Sequence, residues 1–431
     1  MQFNRVVPDG GHYDVIVCGA GPGGAAAALT AARLGRKVLL IDHAGCVGGY
    51  WTSGLMGISL DMPGKGGVPK EIIDGLLAEN RARWVDSDSY TYDIESMKRL
   101  LEQLLLEAGA DVLLYTRVTD AIVKNRRIEA VLADGPQSRA FTADWFVDGT
   151  GHGDLSAMAG CAWEMGMSEN GPLQPASLEA LVTGVPDSWI SDIHNPKRKR
   201  ELFELLKKAG VACSYPNPLL FRLSPDNDLH IFAINHQYDV DIRDSIGLSR
   251  ATMDARGEIH EAVKALRTLS GWGKLAVAAT SEQLGLRDSR RVKGLYRLDM
   301  NDAMSGRHFD DGVVPVHSSF DVHALSKKQA DERKDIAEGM RSKPFQVPLR
   351  SLIAQDIDNL WLVGRCISGD FLAHSIYRFT CTAAGTGEAA AVALSTIDAG
   401  GTSRDADGAR VAGEMRKRGY GLDRIARQTE N

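Results

Sequence analysis

The sequence is constrained most by residues 13–42, which read YDVIVCGAGPGGAAAALTAARLGRKVLLID. An apolar run leads into glycines with the spacing G-x-G-x-x-G, and an alanine-rich helix-forming segment and a second apolar run follow. Glycines at this spacing allow a tight turn, the approach of backbone to a pyrophosphate, and close packing of helix on strand. The stretch therefore predicts a strand–turn–helix–strand unit that binds a dinucleotide at the N-terminus of the helix. The expected phosphate contacts are Gly19, Gly21, Pro22, Gly23 and Gly24.

The second apolar run ends in an acidic residue, Asp42, 18 residues after Gly24. A carboxylate at this position can accept hydrogen bonds from a ribose 2′-hydroxyl and would repel a 2′-phosphate. We therefore expect a dinucleotide with a free 2′-hydroxyl, either NAD or FAD, rather than NADP.

Composition sets the broad class of protein. The 431 residues suffice for two domains, or for one domain with another inserted into it. A net charge of −6 gives no general reason to expect nucleic acid or an anionic membrane as a partner. No apolar run approaches the roughly 18 residues that a membrane span needs, and we expect no signal peptide because the N-terminal residues lack an apolar segment.

The cysteines indicate the redox environment. The six of them are scattered along the chain and form no C-x-x-C pair. This spacing argues against a structural zinc site and a disulfide framework, and it is typical of proteins in a reducing compartment. We therefore expect a cytoplasmic protein without a metal site.

Two later segments indicate that distant parts of the chain join the first unit. An apolar run at 144–147 leads into DGTGHGD, and residues 359–365, NLWLVGR, predict another strand that ends in glycine. Between them the pattern changes to polar loops, short strands and helices, which indicates an inserted domain. Near the end we expect a loop at 367–378 and a second helix N-terminus at 385–387.

The predicted fold class is α/β. We expect a Rossmann-like domain, with a parallel sheet, helices and a small antiparallel hairpin, interrupted by an inserted α+β substrate domain. The predicted boundaries are 1–160 for the N-terminal part of the cofactor domain, 161–344 for the inserted domain, 345–398 for the C-terminal part and 399–431 for a tail with a short helix.

Several segments together carry a resemblance to a known family. They are GCVGGYWTSGL, WFVDGTGHGDLSAMAG, LGLRDSRRVKGLYRL, FDDGVVPVHSSFDVH, FQVPLRSLIAQDIDNLWLVGRCIS and AHSIYRFTCTAAGTGEAAAVA. With them, the chain resembles the FAD-dependent oxidoreductases of the glutathione-reductase-like flavoprotein fold, over roughly residues 12–397. The family is distantly similar to fumarate reductase flavoproteins.

The resemblance implies that the dinucleotide is FAD. Its pyrophosphate would lie over Gly19–Gly24 and its adenosine ribose on Asp42. A second dinucleotide motif and a C-x-x-x-x-C pair, which disulfide reductases carry, are not found in the sequence. The further cofactor contacts that the resemblance implies are Gly48, Gly49, Thr150, Gly151, Gly364, Arg365, Gly387 and Glu388. We also expect cofactor contacts at His43, Tyr50, Trp51, Val118 and Gly149, although Tyr50 and Trp51 could be simple core aromatics.

A flavin dehydrogenase needs an acid or base near the substrate carbon that gives or accepts hydride. By resemblance, His374 and Arg378 flank the segment that faces the flavin, although they could equally bond backbone carbonyls there. Asp321 and His323 share one face of an extended segment, where the carboxylate could orient the histidine. A plain surface or core pair is the alternative interpretation of these two residues.

Substrate contacts are predicted at three further positions. Arg287 and Arg290 suggest anion or hydroxyl binding, although an ion-pair network with neighbouring carboxylates is the alternative. Tyr50 could contact substrate or stack near the flavin, or it could be a simple core aromatic.

The predicted function is that of an FAD-dependent oxidoreductase, which transfers hydride between flavin N5 and a small polar metabolite. Two alternatives stay open: a flavin monooxygenase, and a non-catalytic FAD-bearing subunit that receives electrons from a partner chain. The expected partners are a small-molecule substrate and an electron acceptor or donor of unknown identity. A homo-oligomer is also possible.

Overall fold

The computed structural model describes residues 6–168, 171–189, 193–332 and 336–423. Its strands are, in chain order, β1 (Asp9–Cys18), β2 (Val38–Ile41), β3 (Ile58–Ser59), β4 (Ala82–Trp84), β5 (Tyr90–Tyr92), β6 (Asp111–Leu113), β7 (Arg117–Lys124), β8 (Arg127–Asp134), β9 (Arg139–Asp148), β10 (Trp163–Glu164), β11 (Ala180–Thr183), β12 (Leu219–Arg222), β13 (His230–Ala233), β14 (Ala276–Thr280), β15 (Arg291–Val292), β16 (Gly312–Val316), β17 (Phe345–Pro348) and β18 (Leu360–Leu362). The helices are α1 (Pro22–Arg33), α2 (Gly67–Ala78), α3 (Ile94–Glu107), α4 (Asp154–Met158), α5 (Pro196–Lys208), α6 (Ser245–Leu266), α7 (Met300–Ser305), α8 (Lys327–Asp331), α9 (Phe371–Tyr377), α10 (Thr380–Leu394) and α11 (Gly408–Lys417).

The predicted strand–turn–helix–strand unit is present as β1, α1 and β2. Strands β1 and β2 are parallel, with Val15 opposite Val38, and β1 also pairs in parallel with β9. Val15, Ile16 and Val17 are each 0% exposed. Both faces of a parallel strand are covered, so this strand reads as a continuous apolar run and not as an alternating one.

The main sheet is assembled from distant parts of the chain. Its strand order is β6-β2-β1-β9-β8-β7, and β18 also pairs with β9. Strands β7 and β8 form the predicted antiparallel hairpin. Strand β18 joins in parallel, with Leu360 opposite Phe146. The predicted α/β fold class, with its parallel Rossmann-type sheet and its small hairpin, is confirmed.

The predicted second helix N-terminus at 385–387 is wrong, because α10 already begins at Thr380. The glycines that suggested a helix start lie inside α10, where it crosses α1. A Cβ on Gly387 would lie 1.9 Å from the carbonyl oxygen of Gly23. Glycine is therefore required there by the close contact of two helices, and not by a turn at a helix end.

The predicted loop at 367–378 is also wrong over most of its length, since α9 occupies Phe371–Tyr377. The Asp370 side chain caps this helix by accepting a hydrogen bond from the Ala373 amide at 2.7 Å. Asp is a preferred N-cap residue because its carboxylate satisfies an amide that has no partner within the helix. The helix spans only seven residues, too few for a clear periodic pattern in the sequence.

A second, antiparallel sheet has the order β12-β13-β11-β14. Residues on one face of it, such as Leu220 and Phe232, pack with α5 and α6 in a separate apolar core. Alternate residues, such as Phe221 and Ile231, belong to the main core instead. The alternation of the two faces follows from the period of two in a β-strand.

The predicted domain boundaries stay a prediction. The core shared by α5 and α6 contains buried residues only between Leu178 and Leu275. Strand β16 pairs with β17 across the predicted boundary at 344 and belongs to the main core. Among the described residues, no helix combines the length and apolarity needed to cross a membrane.

Candidate active site

A cavity of about 1080 Å³ extends from the carboxyl end of β1 to the inner face of the second sheet. Both the main sheet and the second sheet contribute to its walls. The predicted cofactor contacts that line it are Gly19, Gly21, Pro22, Gly23, Asp42, His43, Gly49, Tyr50, Val118, Gly149, Thr150, Gly151, Gly364 and Arg365.

The glycine turn between β1 and α1 leaves room for a ligand. Gly19 has φ +95°, and a Cβ on it would lie 2.6 Å from the backbone of Gly149. A Cβ on Gly24 would lie 1.8 Å from the carbonyl oxygen of Gly19. On Gly21, by contrast, a Cβ would meet no atom closer than 3.8 Å, and no side chain caps α1. The helix amides next to Gly21 are thus open to an anionic group.

Asp42 is held firmly at the end of β2. Its carboxylate accepts hydrogen bonds from the amides of Ala20 at 2.5 Å and Ala44 at 2.8 Å. His43 Nδ1 lies 3.4 Å from the same carboxylate. A carboxylate can accept about four hydrogen bonds, so acceptor sites remain for a ribose.

Five predicted cofactor contacts are not among the residues that line the cavity: Gly24, Gly48, Trp51, Gly387 and Glu388. Gly24 and Gly387 serve the close packing described above. The Glu388 side chain, 1% exposed, accepts hydrogen bonds from the Val68 amide at 2.8 Å and the Tyr420 hydroxyl at 2.9 Å. It also pairs with Arg418 at 3.0 Å. The structure therefore places Glu388 in a buried network that joins α10 to α2 and to the segment after α11.

At the far end of the cavity the structure brings three predicted catalytic residues together. An Arg378 nitrogen lies 2.7 Å from Asp321 Oδ2, and His323 Nε2 lies 3.5 Å from Asp321 Oδ1. Burial opposes ionisation of Asp321, but His323 and Arg378 outweigh it and hold the pKa of this carboxyl below its ordinary value. Burial and the nearby Arg287 lower the pKa of His323 to about 4.

The fourth predicted catalytic residue and one predicted substrate contact lie elsewhere. His374 is 0% exposed, packs edge-on against Tyr377, and does not line the cavity. Arg290 donates to Asp154 Oδ1 at 2.8 Å and to the His152 carbonyl at 3.1 Å, also outside the lining. Arg290 thus holds the glycine-rich segment after β9 in place.

Arg287 does line the cavity, together with Arg365 and Arg378. Arg287 donates to the Ser177 hydroxyl at 2.7 Å and to the Pro175 carbonyl at 3.0 Å. Arg365 donates to the carbonyl of Gly151 at 3.0 Å. In the described part of the chain, no carboxylate contacts the guanidinium group of Arg287 or Arg365 directly. Their positive charges therefore favour an anionic or polar ligand in the cavity.

An aromatic cluster beside His323 was not predicted from the sequence. His236 stacks on Tyr215 with ring centroids 4.0 Å apart, and its ring lies 5.0 Å from that of His323. Burial and Arg287 lower the pKa of His236, so its ring is neutral. The sequence offered no signal for this cluster, because 215, 236 and 323 are brought together only by the tertiary fold.

A second residue that sequence reasoning missed is Glu179, which lines the cavity and is 5% exposed. Tyr50, another residue of the cavity wall, lies beside it. Burial raises the pKa of Glu179 to about 7, against the opposing effects of Arg287 and Tyr50. An acidic residue next to the apolar run of β11 was the available signal, because an unpaired carboxylate in a buried strand is rare.

Comparison with known proteins identifies the family. Residues 14–415 match the family described as FAD dependent oxidoreductase. The chain belongs to that family. It is therefore an enzyme whose cofactor is FAD, as the sequence resemblance predicted.

Individual relatives of this FAD dependent oxidoreductase match only part of the chain, at about 31% identity. Thiamine thiazole synthase of Aeropyrum pernix is 31% identical over 181 residues, which are 38% of this chain and 64% of that protein. Digeranylgeranylglycerophospholipid reductase of Methanocella arvoryzae is 31% identical over 132 residues, 27% of this chain and 33% of the relative. The chain thus spans less than two thirds of either relative.

Among solved structures, a geranylgeranyl bacteriochlorophyll reductase-like protein from Thermoplasma acidophilum is 13% identical, with a TM-score of 0.46. The similarity covers 98% of this chain and 88% of that one. The flavin-dependent brominase Bmp2 is 14% identical, with a TM-score of 0.47, over 94% and 83% of the two chains.

The residues at the β1–α1 turn fit the FAD of this family. The open space at Gly21, the uncapped α1 and the fixed carboxylate of Asp42 suit a pyrophosphate followed by a ribose. When bound, FAD supplies the two-electron chemistry, and the protein contributes binding, orientation and proton transfer.

Proposed function

We propose that this FAD dependent oxidoreductase transfers hydride between flavin N5 and a small polar metabolite, which binds among Asp321, His323, Arg378 and Arg287. The observation that carries the proposal is one continuous cavity. It joins the glycine turn and Asp42 to this cluster of charged and titratable side chains. A cofactor in the first part and a substrate in the second would therefore share one chamber.

The arginines support a substrate that carries a carboxylate or another oxygen-rich group. Arg378 is anchored by Asp321 at 2.7 Å, which fixes the direction of its remaining N–H donors. Arg287 is anchored by Ser177 at 2.7 Å. Anchored guanidinium groups bind carboxylates through two parallel hydrogen bonds, and little side-chain freedom is lost when they do so.

Anaerobic reduction of the FAD-loaded protein tests the proposal. We expect bleaching of the flavin absorbance by at least one member of a panel of hydroxy acids and amino acids, or recovery of the absorbance when an unsaturated acid re-oxidises flavin that dithionite has reduced. Bleaching only by NADPH or NADH in the presence of an aromatic compound would support a monooxygenase instead. Reduction only by a co-purified protein would support an electron-transfer subunit.

A matched pair of arginine variants locates the substrate. Arg378→Gln should raise the metabolite concentration needed for half-maximal bleaching by about 10- to 100-fold, because a charge-assisted hydrogen bond contributes about 1.5–3 kcal/mol. Arg350 also pairs with an aspartate, Asp311, at 2.9 Å, but lies outside the cavity lining. Arg350→Gln should therefore leave this concentration unchanged, and equal effects of the two variants would contradict the proposal.

Other properties stay predictions. The electron acceptor or donor, a homo-oligomeric state and a cytoplasmic location are expectations from the sequence. The inserted substrate domain is a proposal, supported by the separate core of the second sheet.

A further inference from the structure

We propose that Glu179, which lines the cavity beside Tyr50, is the residue that exchanges a proton with the substrate. The inference rests on the proposed function and assigns its acid/base to a carboxyl group rather than to a histidine. It would make Glu179 a catalytic residue and Tyr50 its positioning partner.

Glu179 places a carboxyl group at the cavity wall. The side chain lines the cavity, and its Oε2 is fully buried with no hydrogen-bond partner in the described part of the chain. Its backbone is fixed, because the Ser281 amide donates to the Glu179 carbonyl at 2.9 Å. A buried carboxylate oxygen without a donor makes the ionised form costly, so this carboxyl holds a proton more readily than an exposed one.

Tyr50 connects this carboxyl to the cofactor side of the cavity. It follows Gly49, on which a Cβ would lie 2.8 Å from the Cα of Gly21 in the phosphate turn. Its hydroxyl fits against Gly285, where a Cβ would lie only 2.1 Å from that oxygen. The loop that contacts the cofactor turn therefore also positions the hydroxyl that lies beside Glu179.

The charged groups around the pair come from several elements. Arg287 follows β14, Arg365 follows β18 and Arg378 follows α9. These three arginines lower the pKa of Tyr50, whereas Glu179 raises it. Burial nevertheless dominates, and it raises the pKa of Glu179 to about 7. Since the pKa of His323 is about 4, Glu179 is better matched to proton transfer near neutral pH.

In the oxidation direction, a substrate with an H–C–O–H or H–C–N–H group would lose a hydride and a proton. The hydride carries both electrons of the C–H bond to FAD, which is the oxidant. The proton passes from the O–H or N–H group to the carboxylate of Glu179, and a C=O or C=N bond forms. The carboxyl then loses the proton to solvent before the next turnover.

Redox titration of the FAD-loaded full chain with dithionite tests this assignment without a substrate. Added electrons give the flavin negative charge, which raises the pKa of a nearby carboxyl, so reduction takes up an extra proton. In the wild type we expect the midpoint potential to fall more steeply with pH in a window that begins near pH 7. In Glu179→Gln this steeper fall of the midpoint potential should be absent.

Two further variants exclude a general effect of mutation. Tyr50→Phe removes the hydroxyl that lowers the pKa of Glu179, so the steep window should move to higher pH. Glu258 is a partly buried carboxyl bonded to Ser214 outside the cavity, and Glu258→Gln should keep the wild-type window. Persistence of the window in Glu179→Gln would overturn the assignment, as would its loss in Glu258→Gln.

Kinetics separate this inference from the proposed function. With a metabolite that bleaches the wild type, Glu179→Gln should slow bleaching at pH 7 by about 100-fold or more, as loss of a general acid–base does. If no metabolite bleaches the wild type, the proposed function fails. If a metabolite does and Glu179→Gln bleaches at the wild-type rate, only the assignment of Glu179 fails.

Discussion

Glu179 has a consequence for stability as well as for chemistry. Between its ordinary pKa of 4.5 and the raised value of about 7, the folded protein keeps a proton that the unfolded chain has released. The folded state then binds more protons, so the free energy of unfolding falls as pH rises through this window.

We therefore expect the wild type to lose on the order of 3 kcal/mol relative to Glu179→Gln between about pH 4.5 and about pH 8. Urea unfolding of both FAD-loaded proteins at several pH values measures the difference. Glu129→Gln, at an exposed position on β8, is the control and should show no such trend relative to wild type. A difference between wild type and Glu179→Gln that does not change with pH would contradict the raised pKa.

The sequence alone predicts a specific role for Asp42, which is contact with the adenosine ribose of FAD. Asp42→Ala should weaken FAD binding by about 10- to 100-fold, because hydrogen bonds to a charged group contribute about 1.5–3 kcal/mol. Equilibrium dialysis of FAD against the deflavinated protein gives the dissociation constant. Asp144→Ala is the control, since Asp144 is exposed on the same sheet and outside the cavity lining. Unchanged affinity in Asp42→Ala would remove Asp42 from the cofactor site.

The contrast between Asp42 and Glu179 shows what sequence can reveal about a single residue. Asp42 lies within one local motif, so its position follows from the strand, turn and helix around it. Glu179 gains its character from burial and from Tyr50, 129 positions earlier in the chain. His374 illustrates the converse, because a histidine near the cofactor segment turns out to be fully buried away from the cavity.

At the scale of elements, the contact between α1 and α10 yields a sharp prediction. A Cβ on Gly387 would lie 1.9 Å from the backbone of Gly23, and backbone cannot move aside cheaply. Gly387→Ala should therefore destabilise the protein by more than about 3 kcal/mol, beyond the usual range of single substitutions. Thermal or urea unfolding of the FAD-loaded protein measures this loss.

Gly257 provides the matched control for Gly387. It lies in the interior of α6, and a Cβ there would meet no atom within 4 Å. Gly257→Ala should stabilise the protein by about 0.5–1 kcal/mol, because alanine has the higher helix propensity. If both substitutions changed stability in the same direction, close packing of α1 on α10 would not be the reason for Gly387.

Elements were predictable where their signal is local and long. The continuous apolar run of β1 and the small antiparallel hairpin β7–β8 were both predicted from the sequence. The start of α10 was not, because glycines inside a helix look like helix ends unless the helix that packs on them is known. The short α9 was missed because a helix of seven residues has less than two full turns of pattern.

At the scale of the whole molecule, the second sheet covers the cavity with one face and packs α5 and α6 with the other. Phe221 lines the cavity, whereas its neighbour Leu220 lies in the separate core. Leu220→Ala should cost about 2–5 kcal/mol of stability, with an unchanged substrate concentration for half-maximal flavin bleaching. Phe221→Ala should instead change that concentration. If Leu220→Ala changed the substrate concentration for half-maximal bleaching as much as Phe221→Ala does, the two faces of the sheet would not have separate roles.

The pairing of β18 with β9 has a consequence for biosynthesis. Leu360, Trp361 and Leu362 complete the hydrogen bonding of Phe146, Val147 and Asp148, and Gly364 then closes the cavity beside the glycine turn. A ribosome makes the β1–α1 turn more than 300 residues before it makes β18. Until then, a buried strand has an open edge, which is a hazard for aggregation. The growing chain can therefore acquire a complete cofactor site only after β18 has been made.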